Sequence, residues 1–580
     1  MSNKGWAIGI ILAVLLTAGA SAYDDYDQYV INSKDWTDIY SATLYAGLNK
    51  IPSNYIIEET RGYLLLETLD SSKRKVLLIE SKKSPYIKNF QSDISNKGFD
   101  VTKFDDYSNL NIELAEELPN NINKFIVMDK QYSYNSISVA PYAVLEGYYV
   151  LFADSDNIDD IVKMLQDRGA SDIIIYGYVD RKVASELQRF SPDIIDKGNK
   201  YANNIEIIKR FSQKKDFSQY LLTSGDFIEP QFFSGTNPVV LIGKSNVPEI
   251  TMNFLKATDI KHAILIGNDL VDIALILKQE ADMKIMVKFA KGINMQQYSL
   301  DSISLPVFDM QPSYRSIQYN PLSKQVAATI ANLGSSPAFI RNTYSITFEG
   351  EPIAEIGDEE PVFLGAESVV TLLYDADLSN YDEWGMRISA RMVFGEEKGA
   401  LDSLILDTRE LISVSYEDNS EIEIKDIYYD KSIKRFVINI KNIGKKRVHL
   451  VPYIEDIIIN SREQNLGGRA DNILPGQEKS IRIRAELTEE DIEDNPQIRV
   501  KIQYGEKEDM LIKTRLLDIA LVVKSSLHYY YTAAGIALLL LILIIALIIR
   551  RRKRKHAHSR QSSHNHAQNK THHNHHDSSQ

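Results

Sequence analysis

Residues 125–132, Phe-Ile-Val-Met-Asp-Lys-Gln-Tyr, form a short apolar stretch that runs into a polar turn and ends on an aromatic residue. The same pattern occurs at 29–36, Tyr-Val-Ile-Asn-Ser-Lys-Asp-Trp, and at 220–227, Tyr-Leu-Leu-Thr-Ser-Gly-Asp-Phe. The three closing aromatics, Trp36, Tyr132 and Phe227, are therefore 96 and 95 residues apart. A fixed spacing of this kind indicates a repeated structural unit, so the sequence predicts three repeats in the first half of the chain.

Each repeat alternates strand and helix patterns. The runs 76–79, 173–176 and 263–266 are continuously apolar, which is typical of strands buried on both faces of a parallel sheet. Residues 159–169 place apolar side chains on one helical face and end at a glycine, as a helix does. We therefore predict three α/β units with right-handed crossovers, at 23–118, 119–214 and 215–313.

The second repeat also carries the clearest family resemblance. Val-Leu-Phe-Ala-Asp-Ser-Asp at 150–156, Ile-Ile-Ile-Tyr-Gly at 173–177 and the segments 183–187 and 198–201 resemble the type 2 cell-wall-binding repeat of surface-layer proteins. The resemblance covers residues 29 to about 300. It implies that three repeats pack in a pseudo-threefold arrangement, bind anionic polymers of the cell wall and display other domains at the surface.

A second repeat, with a period of 110 residues, lies between 326 and 520. Residues 326–334 match 436–444, and 392–396 match 502–506. Alternating apolar and polar residues, as at 480–485, predict strands with one solvated face. We predict two immunoglobulin-like β-sandwiches at 314–413 and 414–522, which resemble stalk modules of archaeal and bacterial surface proteins. The predicted fold class is thus α/β plus all-β.

The two ends of the chain predict its topology. Residues 1–22 have a cation, an apolar stretch and a small-residue cleavage site, as secretory signal peptides do, although an uncleaved anchor helix is an alternative. The apolar run 532–549 spans about 27 Å as a helix, so we predict a transmembrane helix at 530–550. Its predicted flanks are Tyr529, Tyr530 and Tyr531 on one side and Arg550, Arg551 and Arg552 on the other. The positive-inside rule then places residues 23 to about 528 outside the cell and a disordered tail, 551–580, in the cytoplasm.

Charge and cysteine content exclude several classes of function. The net charge is −13, and after Ile549 the tail is basic, with Asp577 as its acidic residue, so the ectodomain is strongly acidic. An acidic surface argues against nucleic acid as a partner and leaves Ca²⁺ as a candidate counter-ion. The chain has no cysteine, so disulfides and thiolate metal sites are excluded.

No catalytic motif stands out. The sequence contains no nucleophile elbow, phosphate loop, His-Glu-x-x-His pair or calcium loop. Five aspartates follow predicted strand ends, where ligands bind in parallel sheets: Asp35, Asp38, Asp154, Asp156 and Asp226. They could serve a surface hydrolase, but capping of helices and turns is the interpretation we favour. We therefore predict a protein that is not an enzyme.

Two groups of residues are candidate binding sites. The aromatics Trp36, Tyr132 and Phe227 could stack against sugar rings of a glycan, or they could be core residues where the three units meet. The tail contains clustered histidines that could bind Ni²⁺, Zn²⁺ or Cu²⁺, although incidental affinity of a low-complexity tail is an alternative. The histidines concerned are His564, His566, His572, His573, His575 and His576.

These observations predict a membrane-anchored structural protein of the cell surface. The resemblance fits an archaeal surface layer best, in which the expected partners are the membrane, like copies in an array and envelope glycans. Two alternatives remain open: a surface receptor that binds solutes or glycans between α/β units, and a surface hydrolase.

Overall fold

The computed structural model describes residues 26–267, 270–288, 290–293, 296–299, 302–382, 384–524 and 536–550. The predicted signal peptide, the six tail histidines, Tyr529 to Tyr531, Arg551 and Arg552 lie outside these residues. Residues 536–550, which end at Arg550, are helical, and their large apolar side chains are exposed. Among the described residues no helix is both long and apolar enough to cross a membrane.

The first half of the chain forms α/β units, as predicted. Unit 1 contains β1 (Gln28–Asn32), α1 (Trp36–Asn49), β2 (Ser53–Tyr55), α2 (Glu59–Thr68), β3 (Lys75–Glu80), α3 (Phe90–Asn96), β4 (Asp100–Phe104) and α4 (Leu110–Glu116). Unit 2 contains β5 (Lys124–Met128), α5 (Tyr134–Glu146), β6 (Tyr148–Phe152), α6 (Ile158–Asp167), β7 (Asp172–Tyr176), α7 (Arg181–Leu187), a 3-10 turn (Gln188–Phe190), β8 (Asp193–Ile195) and α8 (Lys200–Lys214).

Unit 3 has the same core and an added hairpin. It contains β9 (Tyr220–Thr223), β10 (Phe227–Ile228), a 3-10 turn (Pro230–Ser234), β11 (Val239–Leu241), α9 (Glu249–Ala257), β12 (His262–Ile266), α10 (Val271–Glu280), β13 (Lys284–Lys288), β14 (Ala290–Ile293), β15 (Gln296–Ser299) and β16 (Ile303–Ser304). The sheet orders are β2-β1-β3-β4, β6-β5-β7-β8 and β11-β9-β12-β13, and all of these pairs are parallel. Their central strands are buried on both faces, which is why they read as continuous apolar runs.

The three units pack around Tyr40. Its hydroxyl donates to the carbonyl of Ser136 in unit 2 at 2.8 Å. Its ring lies edge-on to Phe152 of unit 2 and Phe233 of unit 3, with centroids 5.5 and 5.1 Å away. Helices α1 and α5 and the 3-10 turn of unit 3 occupy corresponding positions and contact each other pairwise. Unit 1 thus touches both of the other units through one fully buried side chain.

The second half forms antiparallel sheets, as predicted. Sandwich 1 contains β17 (Pro312–Asn320), β18 (Gln325–Asn332), β19 (Ala338–Phe348), β20 (Glu351–Gly357), β21 (Val362–Leu364), β22 (Ser368–Asp375), β23 (Met386–Gly395), β24 (Ser403–Glu410) and β25 (Ile412–Ser413). Sandwich 2 contains β26 (Ile422–Asp430), β27 (Arg435–Asn442), β28 (Val448–Ile459), β29 (Arg462–Gly467), β30 (Asp471–Ile473), β31 (Glu478–Arg484), α11 (Glu489–Asp494), β32 (Gln497–Gly505), β33 (Lys513–Ala520) and β34 (Val523–Lys524).

The two sandwiches have the same strand order. The sheets of sandwich 1 are β22-β18-β17-β25 and β20-β19-β23-β24, and those of sandwich 2 are β31-β27-β26-β34 and β29-β28-β32-β33. Each sandwich also has a short strand on its second sheet and one short parallel pair. The period of 110 residues in the sequence therefore reflects two copies of one topology.

The sandwiches do not extend away from the α/β units, as a linear stalk would. Sandwich 2 packs on sandwich 1, where the side chain of Gln503 bonds the backbone of Thr371. It also returns to unit 2, where the hydroxyl of Tyr178 donates to the carbonyl of Asn460 at 3.1 Å. Tyr178 and Asn460 are 282 positions apart in the sequence. The resemblance to stalk modules suggested a linear arrangement, but the sandwiches fold back against the α/β units.

Candidate functional site

The candidate site is the crevice at the carboxyl ends of β5 and β7 in unit 2. The chain leaves these neighbouring strands toward opposite sides of the sheet, and such a switch point is where ligands bind in open parallel sheets. The crevice is lined by Tyr132, Tyr134 and Asn135 after β5 and by Gly177 and Tyr178 after β7. In this protein, residues from both sandwiches enter it.

Arg462 of sandwich 2 fills one side of the crevice. Its guanidinium pairs with Glu397, which lies on the β23–β24 turn of sandwich 1. It also donates to the hydroxyl of Tyr132 at 3.1 Å and lies 5.0 Å from the ring centroid of Tyr178. A planar cation against aromatic rings is a favourable packing, and here it joins unit 2 to both sandwiches.

Lys200 forms the other side. It is 9% exposed, and its Nζ lies 2.8 Å from Oδ2 of Asp402 and 3.5 Å from Oε1 of Glu396, both in sandwich 1. The hydroxyl of Tyr201 donates to the same Asp402 oxygen at 2.9 Å. Lys200 and Tyr201 open α8, which Asn199 caps, so the first turn of this helix points at the carboxylates of sandwich 1.

Burial sets the charge states of this cluster. It raises the pKa of Glu396 to about 7, an effect that Lys200 opposes and Glu397 reinforces. Burial disfavours the Lys200 ammonium, but Asp402 and Glu396 raise its pKa well above the usual value. The junction between α8 and sandwich 1 therefore contains a firm ion pair, Lys200 with Asp402, and a carboxyl group that titrates near neutral pH.

Little space remains in the crevice. The cavity in unit 2 is about 20 Å³, which holds about one water molecule. A neighbouring cavity of about 160 Å³ lies where unit 3 meets Phe394 of sandwich 1 and Phe308, which lies in the segment between β16 and β17. Both are smaller than the roughly 300 to 1,000 Å³ of typical small-molecule sites. The strand-end crevices of units 2 and 3 are therefore closed by the chain itself.

The corresponding crevice of unit 1 differs. Asp38 accepts hydrogen bonds from Ser33 Oγ at 2.8 Å and from the hydroxyl of Tyr107 at 3.0 Å, and burial raises its pKa to about 6. Lys34 and Lys83 are exposed beside it. Among the described residues, no hydrogen bond or ion pair links this crevice to either sandwich.

The structure places the three candidate glycan-binding aromatics apart. Trp36 lies edge-on to Phe152 with centroids 5.0 Å apart, at the contact of units 1 and 2. Tyr132 lies in the junction with Arg462, and Phe227 packs near Phe232 with centroids 6.2 Å apart. All three are half-buried and form no ring contact with one another, and glycan binding by them stays a prediction.

Most of the strand-end aspartates stabilise local structure. Asp35 caps α1 by accepting from the backbone N–H of Thr37 at 2.9 Å. Asp154 accepts from the N–H of Asp156 at 3.0 Å and pairs with a lysine, and Asp226 pairs with Lys244 at 2.9 Å. Asp156 itself is exposed. Of the five, Asp154 and Asp156 are joined by this hydrogen bond, and the charge of Asp35 raises the pKa of the nearby Asp38.

Sequence reasoning missed two residues that organise the α/β units. Asn111 on α4 donates from Nδ2 to the carbonyl of Val150 and accepts at Oδ1 from the N–H of Phe152. Asn204 on α8 makes the same pair of bonds to Val239 and Leu241 of unit 3. The signal was present, because Asn-Ile-Glu occurs at both 111–113 and 204–206.

Metal ligands do not cluster in the part of the chain that the structure describes. No group of three or more His, Asp or Glu side chains there has a geometry that could hold a metal ion. Calcium binding by the ectodomain and metal binding by the tail histidines stay predictions, and the latter concerns residues outside the described ranges.

Comparison with known proteins does not establish a function for this chain. No protein-family model matches the chain, and no curated protein is similar to it in sequence. Among solved structures it is similar to Cwp6 from Clostridium difficile (17% identity, 42% of this chain and 41% of that chain, TM-score 0.33) and to Cwp8 from the same organism (13%, 45% and 48%, TM-score 0.37). A transglutaminase from red sea bream also matches (9%, 38% and 32%, TM-score 0.13). The chain spans less than half the length of each of these proteins, and TM-scores below 0.5 carry no argument about function.

Proposed function

We propose that this chain is a structural protein of the cell surface without enzymatic activity, held at the membrane by its C-terminal apolar segment. Its α/β units and sandwiches act as one rigid extracellular body. That body makes lateral contacts with like copies or with envelope glycans, as in a surface layer.

The observation that carries this proposal is the closure of the strand-end crevices. In an α/β enzyme or receptor these crevices are the expected place for a substrate or solute. Here Arg462, Glu397 and Asp402 of the sandwiches occupy or cover the crevices of units 2 and 3. The same residues fix the sandwiches to the units, which favours a rigid building block over a solute-binding protein or a hydrolase.

The C-terminal segment supports a membrane location. The side chains of Ile536 to Ile549 are about half exposed or more in the isolated chain, and a contiguous apolar surface of this size is unfavourable in water. A bilayer would cover it, and the cations from Arg550 to Lys555 suit the cytoplasmic face.

The test uses the full chain reconstituted in lipid vesicles and viewed by electron microscopy. We expect ordered or clustered ectodomains on the vesicle surface, or saturable binding of isolated envelope material. Monomeric, evenly scattered ectodomains that bind no envelope material, with and without millimolar Ca²⁺, would overturn the proposal. Vesicles carrying an unrelated single-span protein at the same density provide the control.

A further inference from the structure

Sandwich 2 docks on unit 2 through one end. That end consists of the turn Asn460-Ser461 and of α11, which lies in the connection from β31 to β32. Arg181, at the start of α7 in unit 2, pairs with Glu490 at 2.9 Å, Asp491 at 3.2 Å and Asp494. An acidic sandwich end thus meets a cation at the strand-end face of an α/β unit.

Sandwich 1 has the corresponding end, and in the described parts of the chain no hydrogen bond or ion pair joins it to an α/β unit. We call it the free end. Its turn Glu349-Gly350 has positive φ at both residues, as the turn Asn460-Ser461 has, and the connection 376–385 corresponds to the one that contains α11. This end carries Tyr381 and Trp384, and Trp384 is 83% exposed. Glu349 and Asp382 are exposed there and form no ion pair among the described residues.

The free end cannot fold back onto its own α/β units. In the β19–β23 pairing, Phe339 lies opposite Gly395 and Phe348 lies opposite Met386. The turn that carries Glu396 and Asp402 is therefore at the opposite end of the strands from Glu349. At about 3.3 Å per residue, a strand of this length separates the two ends by roughly 30 Å.

Unit 1 offers the matching face. The strand-end faces of units 2 and 3 are covered by the sandwiches and by the segment between β16 and β17. That of unit 1 has no hydrogen bond or ion pair to a sandwich among the residues that the structure describes. Lys34 and Lys83 follow β1 and β3, are exposed and form no ion pair among the described residues. They lie on neighbouring loops, because the N–H of Lys34 donates to the carbonyl of Ser84 at 2.8 Å.

We propose that the free end of sandwich 1 in one copy docks on the strand-end face of unit 1 in the next copy. Glu349 and Asp382 face Lys34 and Lys83 across this contact, and Trp384 provides the buried anchor. This contact between copies resembles the contact within one chain, where the acidic end of sandwich 2 docks on the strand-end face of unit 2. Two different surfaces meet, so the contact is heterologous, and each copy can bind two neighbours, in a ring or in an open chain. The inference rests on the proposed surface-array function and names its contact.

The test is a charge exchange on the full chain in lipid vesicles. A Lys34→Glu/Lys83→Glu variant and a Glu349→Lys/Asp382→Lys variant should each lose at least tenfold in association between vesicles or copies. Mixed together, the two variants should associate again, because each then offers one complementary pair. A Lys163→Glu/Lys278→Glu variant, which reverses two exposed lysines on α6 and α10, should associate as the unchanged chain does. Thermal unfolding of every variant checks the fold.

Cross-linking adds a direct readout. A zero-length carbodiimide reagent should join Lys34 or Lys83 to Glu349 or Asp382 between isotope-labelled and unlabelled copies. Trp384→Ala should weaken association without changing charge.

If arrays persist in both charge-reversal variants, the inferred contact is wrong while the proposed function stands. If the Lys34→Glu/Lys83→Glu variant keeps its self-association and loses only envelope binding, the face binds a glycan and the inference is overturned. If the unchanged chain never associates or binds envelope, the proposed function itself fails.

Discussion

Asn111 and Asn204 hold two successive interfaces between α/β units with the same hydrogen bonds. Each side chain bonds one carbonyl and one N–H on the edge strand of the next unit, at 2.8 and 3.0 Å for Asn111 and at 3.0 and 2.9 Å for Asn204. Each also donates to a buried serine, Ser41 or Ser138. The carboxamide thus pairs with a backbone carbonyl and a backbone N–H of the edge strand, as a neighbouring strand would.

Replacing Asn111 by Ala should destabilise the α/β half strongly. The substitution leaves a buried carbonyl and a buried N–H on β6 without partners, and each unsatisfied group costs about 1 to 3 kcal/mol. We expect a loss of about 2 to 4 kcal/mol in the free energy of unfolding, measured by urea titration. The exposed Asn380→Ala is the control and should change it by less than about 0.5 kcal/mol. An equally small effect for Asn111→Ala would contradict the role given to this amide.

Replacing Lys200 by Met should weaken the junction between α8 and sandwich 1. The buried Asp402 and Glu396 then lose their cation, and breaking a buried pair on one side costs about 3 to 5 kcal/mol. The double variant Lys200→Met/Asp402→Asn should recover part of the loss, because an uncompensated charge is removed. Lys182→Met, whose partner Asp159 is exposed, should cost less than about 1 kcal/mol. Differential scanning calorimetry at fixed pH distinguishes these outcomes.

Glu396 should make the stability of the junction depend on pH. Its pKa rises from the ordinary value of 4.5 to about 7 in the folded state, so the folded state binds a proton more tightly than the unfolded state. The stabilisation is complete below about pH 4.5 and is lost as the pH rises through 7. The titratable groups that face Glu396 are Lys200, Asp402, Glu397 and Tyr134. Burial also raises the pKa of Asp38 in unit 1, so Asp38 contributes a pH dependence of the same sign.

The variant Glu396→Gln isolates this contribution. An amide resembles the protonated carboxyl, so the variant should match the unchanged protein at pH 5 and exceed its stability at pH 8 by about 2 to 3 kcal/mol. Melting temperatures measured from pH 5 to pH 8 provide the comparison. Parallel curves for the two proteins would show that Glu396 does not titrate in this range.

Replacing Arg181 by Ala should release α11 without unfolding the protein. Arg181 forms ion pairs with three acidic residues of α11, and its side chain is 22% exposed. We expect backbone amides of residues 489–494 to exchange hydrogen at least several-fold faster, while those of β28 stay protected. Arg189→Ala, which removes a local pair with Glu186 on the same surface, should leave α11 unchanged. Unchanged exchange in both variants would argue against the docking role.

Local sequence patterns determined the type of each element. The continuous apolar runs at 76–79, 173–176 and 263–266 became central parallel strands, because burial on both faces leaves no position for polar residues. The periods of about 96 and 110 residues identified repeated topologies, and Asp35 took the capping role that its position before a helix predicts. These features depend on neighbours in the chain, which is why they can be read from it.

Only the tertiary structure decided which residues work together. Tyr132 and Arg462 are 330 positions apart, and Tyr201 and Asp402 are 201 positions apart. No local pattern relates the partners of such contacts between units and sandwiches. The packing of helices and strands against each other decides three features. These are the contact of sandwich 2 with unit 2, the burial of Lys200 and the closure of two crevices. The sequence therefore determined the elements and their repetition, whereas long-range packing and pairing of buried charges decided which strand-end face stayed open.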